Sequence, residues 1–207
     1  MSGSEEPQGR KPVSEEDAAR ANHYALIGRL FYEAPDSILL AQLCSADTGS
    51  SAEDTPLGQA WRQLRAACSA AYPTVVKQEY DTLFLGVGKA VVTPYTSHYV
   101  RGSSPDRHLV RLRERLDQLG LGRRSAAFQV EDHVSGICDV MRFLIEDGYP
   151  LSEQSPFFRA FVDGGLTPFC AAVARMNSSE FYRCVAEFAR AFLAVEREAF
   201  EMHESEA

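Results

Sequence analysis

Hydrophobic side chains recur along most of this chain at the spacing of one helix face. The clearest case is the final segment, where apolar residues stand three or four positions apart: Phe181, Val185, Phe188 and Phe192. This period is typical of amphipathic α-helices, and no segment shows the two-residue alternation of a half-buried strand. The pattern therefore predicts an all-α protein, a single globular bundle of about ten helices.

Capping residues, prolines and glycines predict where these helices begin and end. Helix starts are predicted at residues whose side chains can accept hydrogen bonds from the backbone N–H groups of a first helical turn: Ser14, Asp36, Thr55, Thr74, Ser104 and Ser178 or Ser179. The helix behind Thr74 should stop at Gly86. A short helix around Phe157 should end at Gly164-Gly165, and a new one should open at Thr167-Pro168.

Composition narrows the class of protein. The 207 residues are 45% hydrophobic and 24% charged, with a net charge of −8, which disfavours nucleic acid as a partner. No stretch reaches the ~18 uninterrupted apolar residues of a membrane helix. Residues 1–13 lack the apolar core of a secretory signal and are predicted to be a disordered leader before one helical domain, residues 14–207. Five scattered cysteines indicate reduced thiols and the cytoplasm.

Sequence patterns for catalysis are missing. The chain has no phosphate-binding glycine loop, no GxSxG elbow, no HExxH and no cysteine or histidine cluster at zinc spacing. We therefore expect a protein that is not an enzyme and holds neither metal nor cofactor. The arginines between Arg111 and Arg115 are interpreted as a solvated helix face.

Two segments are hard to explain by packing alone. The first combines aromatic, glycine and proline residues in one stretch: Tyr80, Leu83, Phe84, Gly86, Pro94, Tyr95, Ser97 and Tyr99. The second is Glu131-Asp132-His133, at the start of the apolar run that follows. Loop residues of this kind carry binding functions more often than core positions do.

These segments resemble the two signatures of the TorD/DmsD/NarJ family of redox-enzyme maturation chaperones. That family shows Y-x-x-L-F-x-G-P-G, then P-(aromatic)-x-S-x-Y, and later P-D-H before an apolar helix. The resemblance runs from about residue 18 to 200. This chain departs from the pattern at four positions, where the family has proline, proline, histidine and tryptophan: Val87, Glu131, Gly165 and Phe169.

The resemblance implies a cytoplasmic chaperone that binds the twin-arginine leader and the apo form of a molybdoenzyme catalytic subunit. It implies that cofactor insertion precedes export, without choosing between a formate-dehydrogenase-like and a dimethyl-sulfoxide-reductase-like client. The peptide would lie in a groove between residues 74–99 and the helix at 131–145, contacting the residues of both segments. The family includes domain-swapped dimers, so a monomer and a dimer hinged near 121–129 are both open.

Several roles stay open at this point. Asp132 is either a helix cap or an arginine acceptor, and His133 is structural or part of the binding rim. The two are adjacent on a helix, which argues against a hydrogen-bonded acid–base dyad. Tyr80 and Tyr99 either close the site or are half-buried aromatics. Two rival functions are a weak GTP-binding or GTP-hydrolysing protein and a general helical scaffold.

Overall fold

The computed structural model describes residues 14–46, 54–86, 90–121 and 131–206. These residues form eight helices: α1 (Glu15–Tyr32), α2 (Ser37–Ser45), α3 (Pro56–Ala70), α4 (Pro73–Tyr80), α5 (Pro105–Gln118), α6 (Val134–Glu146), α7 (Leu151–Ala174) and α8 (Phe181–Glu206). The chain continues α4 as a π-helical segment, Asp81–Leu85, and forms a short 3-10 turn at Thr96–His98. The all-α prediction is confirmed, with eight helices in the described ranges instead of about ten. The leader and most of the predicted hinge lie outside these ranges.

Four of the predicted caps are present. The side chains of Ser14, Asp36, Thr55 and Ser104 accept hydrogen bonds from backbone N–H groups three residues later, at distances of 2.8–3.3 Å. Each such cap contributes about 1 kcal/mol by satisfying a donor that the helix leaves free. Caps of this kind can be predicted from sequence because both hydrogen-bond partners belong to the same helical turn.

Two predicted boundaries are wrong. Helix α4 begins at Pro73, so Thr74 lies inside it and does not cap it; proline fits the first helical position because its missing N–H is not needed there. The predicted break at Gly164-Gly165 is absent, since α7 passes through it as a π-helical segment, Phe158–Leu166. Gly165 serves a close approach instead, because a Cβ there would lie 2.6 Å from Cβ of Thr96.

A carboxylate from another helix completes the start of α8. Glu79, on α4, accepts hydrogen bonds from the backbone N–H groups of Phe181 (3.1 Å) and Tyr182 (2.8 Å). The hydroxyl of Ser179 also donates to Glu79, at 3.1 Å. The N–H groups at the start of α8 are therefore satisfied by a carboxylate from α4. The sequence had predicted a cap from Ser178 or Ser179.

Two helix packings build the core. Helix α1 lies along α6, and Gly28 allows this close approach, because a Cβ there would stand 3.1 Å from Cβ of Cys138. Helix α8 packs against α3 and α7. Between these layers, buried aromatic rings contact one another edge to face, among them Phe31, Phe84, Phe169 and Tyr182. Edge-to-face pairs of this kind add about 0.5–1.5 kcal/mol each beyond the area that they bury.

Helix α7 is apolar and long enough, by length and composition, to cross a membrane. Half of its most apolar window is buried inside the protein. Phe157, Phe158 and Phe161 are among its buried residues, and Phe158 packs on Phe200 of α8. Core packing thus accounts for its apolar composition.

One buried charge network joins α1, α7 and α8. Glu196 is 2% exposed and accepts from Arg20 Nε at 2.7 Å, from Arg20 Nη2 at 3.0 Å and from the Tyr24 hydroxyl at 3.0 Å. Arg20 Nη2 also donates to Gln154 on α7, at 3.0 Å. Removing one member of such a group leaves a buried charge uncompensated.

We expect Glu196→Ala to lower the free energy of unfolding by about 3 kcal/mol, because it removes the buried carboxylate and leaves the Arg20 guanidinium with only the more exposed Asp17, at 2.8 Å, as an ion-pair partner. Urea denaturation measures this loss. Glu198→Ala, at an exposed position on the same helix, is the matched control and should change stability by less than about 0.5 kcal/mol. Equal effects of the two substitutions would contradict the assignment.

Candidate functional site

Residues 92–99, here called the strap, are the last part of the first segment singled out in the sequence, and they pair with the second segment. The N–H of Thr96 donates to the carbonyl of Asp132 at 2.9 Å, and the N–H of Val134 donates to the carbonyl of Pro94 at 3.0 Å. The strap's other end is held by Val92, whose N–H donates to the carbonyl of Leu83 at 2.9 Å. Segments more than thirty residues apart in sequence thus form one unit, with Tyr95 and His133 as an isolated antiparallel bridge.

Asp132 fixes the strap and does not cap α6. Its carboxylate Oδ2 accepts from the N–H of Ser97 at 3.1 Å, and its side chain is 2% exposed. The N-cap of α6 is His133, whose Nδ1 accepts from the N–H of Ser135 at 3.2 Å. The cap hypothesis for Asp132 is therefore wrong, and the strap covers this carboxylate.

His133 is a neutral, buried imidazole between two tyrosines. Its ring meets Tyr95 edge to face at 5.4 Å and Tyr32 at 6.3 Å, measured between centroids. Burial lowers the pKa of His133 to about 4, against a smaller opposing effect of the Asp132 charge. Nδ1 also lies 2.7 Å from Oγ of Ser135, so this nitrogen serves as the acceptor and the proton resides on Nε2. The contacts of His133 and Asp132 point to different partners, in agreement with the expectation that they form no dyad.

Most residues of the first segment serve packing. Leu83 and Phe84 are buried in the core. Tyr80 donates its hydroxyl to the carbonyl of Tyr32 at 2.6 Å, and Tyr99 donates to the carbonyl of Thr93 at 2.9 Å. These tyrosine hydroxyls tie loops to the body of the protein. Gly86 ends the π-helical segment with φ +53°, a value that favours glycine.

Glu131, in the second segment, is partly exposed and lies at the edge of the strap unit. Its carboxylate forms an ion pair with Arg113 of α5, at 3.3 Å. The pair joins the segment before α6 to the helix that follows the strap.

The outer side of the strap region carries exposed apolar groups. Tyr95 is half-buried, whereas Tyr32, Leu85 and Val91 have exposed fractions of 43%, 60% and 58%. The sequence signatures included Tyr95 alone of these four. The sequence did not single out Tyr32, because Tyr32 is the last residue of an ordinary amphipathic helix. The hydrogen bond from the Tyr80 hydroxyl to the Tyr32 carbonyl joins the end of α1 to the first segment.

Two carboxylates flank the same surface. Glu33 directly follows Tyr32, and Asp81 directly follows Tyr80, whose hydroxyl donates to the carbonyl of Tyr32. Burial, and to a smaller extent these two carboxylates, raise the pKa of Tyr80 to about 12. Glu33 pairs with Arg29 at 2.9 Å and Asp81 with Lys77 at 2.6 Å, both as exposed pairs one helical turn apart. Such pairs stabilise a helix by only about 0.3–0.5 kcal/mol, so either carboxylate can change partner at small cost.

A second buried histidine holds the strap from the opposite side. His108 of α5 is 2% exposed, and its Nε2 lies 3.1 Å from Oγ1 of Thr96. Its ring meets Phe161 of α7 edge to face at 5.3 Å. Gly165 leaves room for Thr96 at this point, as described above. The strap is thus enclosed by α5, α6 and α7.

In the described ranges, no group of three or more histidine, cysteine, aspartate or glutamate side chains could hold a metal ion. The cysteines in those ranges are free thiols, and burial raises the pKa of Cys68 to about 12. Thiols of this kind are poor nucleophiles at neutral pH.

Comparison with known protein families assigns most of the site to one family model. The family model described as nitrate reductase delta subunit covers residues 50–175, more than half of the chain. That range includes both segments, the whole strap and α6. Among curated proteins, none matches the chain.

The pKa of His133 predicts a pH-dependent stability. The imidazole has a pKa near 6.5 when unfolded and about 4 when folded, so the unfolded state binds the extra proton between these values. Stability should therefore be complete above pH 6.5 and fall as the pH drops toward 4, by roughly 2–3 kcal/mol at pH 4.5.

His133→Asn tests this dependence, because asparagine retains a good N-cap but cannot titrate. Urea denaturation from pH 7.5 to 4.5 should give a flatter profile for the variant than for the wild type. Parallel profiles would show that His133 does not contribute to the acid sensitivity.

Proposed function

The chain belongs to the nitrate reductase delta subunit family, and we propose that it serves there as the chaperone of one particular client. Members of this family are chaperones for the maturation of redox enzymes. The proposed client is the catalytic subunit of a molybdopterin oxidoreductase. In the cytoplasm, the protein would bind the twin-arginine leader and the apo form of that subunit until the cofactor is inserted.

The observation that carries the proposal is the aromatic surface over His133. Tyr32 and Tyr95 flank the buried imidazole, and Leu85 and Val91 expose aliphatic groups on the segments that meet the strap. An apolar helix from a leader peptide needs a surface of this composition. Such exposed apolar groups are typical of interaction sites.

The chemistry of the rim suits the cationic head of a leader. Tyrosine faces attract guanidinium groups, by about 0.5–1 kcal/mol at exposed sites. Glu33 and Asp81 supply carboxylates that can accept from arginine, since their present pairs with Arg29 and Lys77 are weak. The surface around Tyr32 and Tyr95 would thus offer both aromatic faces and carboxylates to the two arginines of a leader.

The predicted site residues take two roles in this proposal. Tyr95 contacts the peptide. Asp132 and Ser97 position Tyr95 by holding the strap, and His133 supports its ring from below. We therefore assign peptide contact to the exposed aromatic side chains and positioning to the buried polar ones.

Titration of a fluorescently labelled twin-arginine leader peptide tests the contact residues. Tyr95→Ala and Tyr32→Ala should each weaken binding about tenfold or more, because each removes an aromatic face from the site. Tyr72→Ala is the matched control, since Tyr72 is the most exposed tyrosine on the described surface and lies at the start of α4, outside the strap. An equal loss in all three variants, or no binding by the wild type, would contradict the proposal.

Two substitutions at Asp132 distinguish its role in holding the strap from a direct contact of its negative charge with the peptide. Asp132→Asn keeps an oxygen that can accept from the N–H of Ser97, so it should retain leader affinity within about threefold. Asp132→Ala removes the acceptor, leaves a buried donor unsatisfied and should weaken both stability and binding. If the asparagine variant loses as much affinity as the alanine variant, the carboxylate itself contacts the peptide.

A further inference from the structure

The π-helical segment that follows α4 places a carboxylate and an aliphatic side chain next to each other on its outer side. Its single turn is closed by the N–H of Gly86, which donates to the carbonyl of Asp81 at 2.8 Å. Residues four apart are neighbours on a helix surface, with Cβ atoms about 5–6 Å apart, so Asp81 and Leu85 form one row. Leu83 and Phe84 are buried in the core, whereas Leu85 is 60% exposed. The row therefore begins with a negative charge and ends with an apolar group.

A second carboxylate adjoins the negative end of the row. The Tyr80 hydroxyl donates to the carbonyl of Tyr32 at 2.6 Å, which joins the start of the segment to the end of α1. Glu33 directly follows Tyr32 there. The Asp81 side chain is 42% exposed and that of Glu33 is 58% exposed. By contrast, the Glu131 side chain is 16% exposed and already forms an ion pair. Two accessible acceptors for cations thus lie at the start of the row.

The other end of the row leads to the strap. The N–H of Val92 donates to the carbonyl of Leu83 at 2.9 Å, so Val91 adjoins the end of the π-helical segment. Val91 and Leu85 are both aliphatic and both more than half exposed. Adjoining exposed apolar groups are typical of an interaction site. An apolar stretch of peptide therefore finds its contacts at this end.

Behind Asp81, the row continues as polar side chains of α4. Lys77 lies one turn before Asp81, and its ammonium group pairs with that carboxylate at 2.6 Å. Gln78 and Thr74, three and seven residues before Asp81, are exposed and polar. Val75 is exposed as well, but at six residues before Asp81 it lies on another side of the helix. The surface around Asp81 is thus polar toward α4 and apolar toward the strap.

A twin-arginine leader has the same asymmetry along its sequence, because its arginines precede its apolar stretch. In a helical peptide, a side chain four residues after an arginine lies on the same face and about 6 Å further along the axis. That separation matches the spacing of Asp81 and Leu85. With the opposite direction, the apolar stretch would lie over Lys77 and Gln78, whose polar groups would lose water without gaining a partner.

We propose that the leader binds in one direction: its arginine pair lies against Asp81 and Glu33, and the apolar stretch that follows runs over Leu85 toward Val91. This inference rests on the proposed function for the identity of the ligand, and it adds the order of the contacts. An arginine that binds Asp81 displaces Lys77, at small cost because the present pair is exposed. Charge is thus recognised at the start of the π-helical segment and apolar surface at its end.

Double-mutant cycles between protein and peptide test this direction. The parent peptide is a fluorescently labelled leader with two arginines followed by a leucine-rich stretch. One peptide variant has glutamines in place of the arginines, and the other has alanine in place of the leucine one turn after them. Asp81→Asn should weaken binding of the parent about three- to fivefold and leave binding of the glutamine peptide unchanged. Leu85→Ala should weaken binding of the parent about fivefold and leave binding of the alanine peptide unchanged.

The crossed combinations should be additive, because each protein side chain contacts a different part of the peptide. Coupling of Asp81→Asn to the leucine, or of Leu85→Ala to the arginines, without coupling in the matched pairs would overturn the inference.

Matched control variants lie on α8, outside the row and the strap. Glu187→Gln removes a carboxylate that is 43% exposed and paired with Arg190, much as Asp81 is paired with Lys77. Met202→Ala shortens an apolar side chain that is 62% exposed. Both controls should bind every peptide within about twofold of the wild type. Equal losses in Asp81→Asn and Glu187→Gln would show that net charge governs binding and would overturn the assignment.

A peptide with its apolar stretch placed before the arginines tests the order of contacts directly. It contains the same residues but can satisfy only one end of the row, so it should bind at least about fivefold more weakly than the parent. Equal affinity for the two peptides would overturn the fixed direction. Coupling of Leu85→Ala to a leucine before the arginines, and not to one after them, would assign the reverse direction.

The same titrations distinguish this inference from the proposed function. If the parent leader binds and Tyr95→Ala weakens it, but Asp81 and Leu85 show no coupling, the leader site stands and only the direction is refuted. If the wild type binds no leader peptide, the proposed function fails and the direction fails with it. Thermal unfolding of Asp81→Asn and Leu85→Ala should lie close to that of the wild type, since neither side chain is buried.

Discussion

The hydrogen bonding of the strap to the residues before α6 is the constraint from which the site follows. Buried backbone groups must find partners, and the N–H groups of Thr96 and Ser97 find theirs in the carbonyl and carboxylate of Asp132. That attachment sets the position of Tyr95 against His133 and gives His108 a partner on the strap. The aromatic surface and helix α5 are thus both arranged around one short segment, the strap, which contains the 3-10 turn Thr96–His98.

The sequence was sufficient for the helices because their signals are local. Apolar periodicity and four caps involve residues within a few turns of each other, and these predictions are confirmed. One error was local, because Pro73 starts α4 in place of the predicted cap Thr74. The others occurred at positions that contact distant parts of the chain. Gly164-Gly165 looked like a helix end, yet α7 continues there, and the missing side chain of Gly165 leaves room for Thr96. Sequence spacing contains no information about which segment will occupy that space.

The candidate site shows the same division. The two signatures named segments that adjoin in the structure, around Tyr95 and Asp132. They did not reveal which side chains face solvent. Asp132 had the spacing of a cap, but the strap buries it and His133 takes that position. The exposure of Tyr32 could not be predicted from sequence, because it depends on how α1 packs in the whole fold.

The capping of α8 by Glu79 has a consequence for the order of folding. The two partners are about one hundred residues apart, and closing a loop of that length costs on the order of 4 kcal/mol in chain entropy. Synthesis proceeds from the N-terminus, so Glu79 leaves the ribosome long before Tyr182 exists. Until then, α4 has no helix start to bind, and the layer against which α8 packs stays open. The bundle therefore closes late, as a whole, when its final helix is delivered.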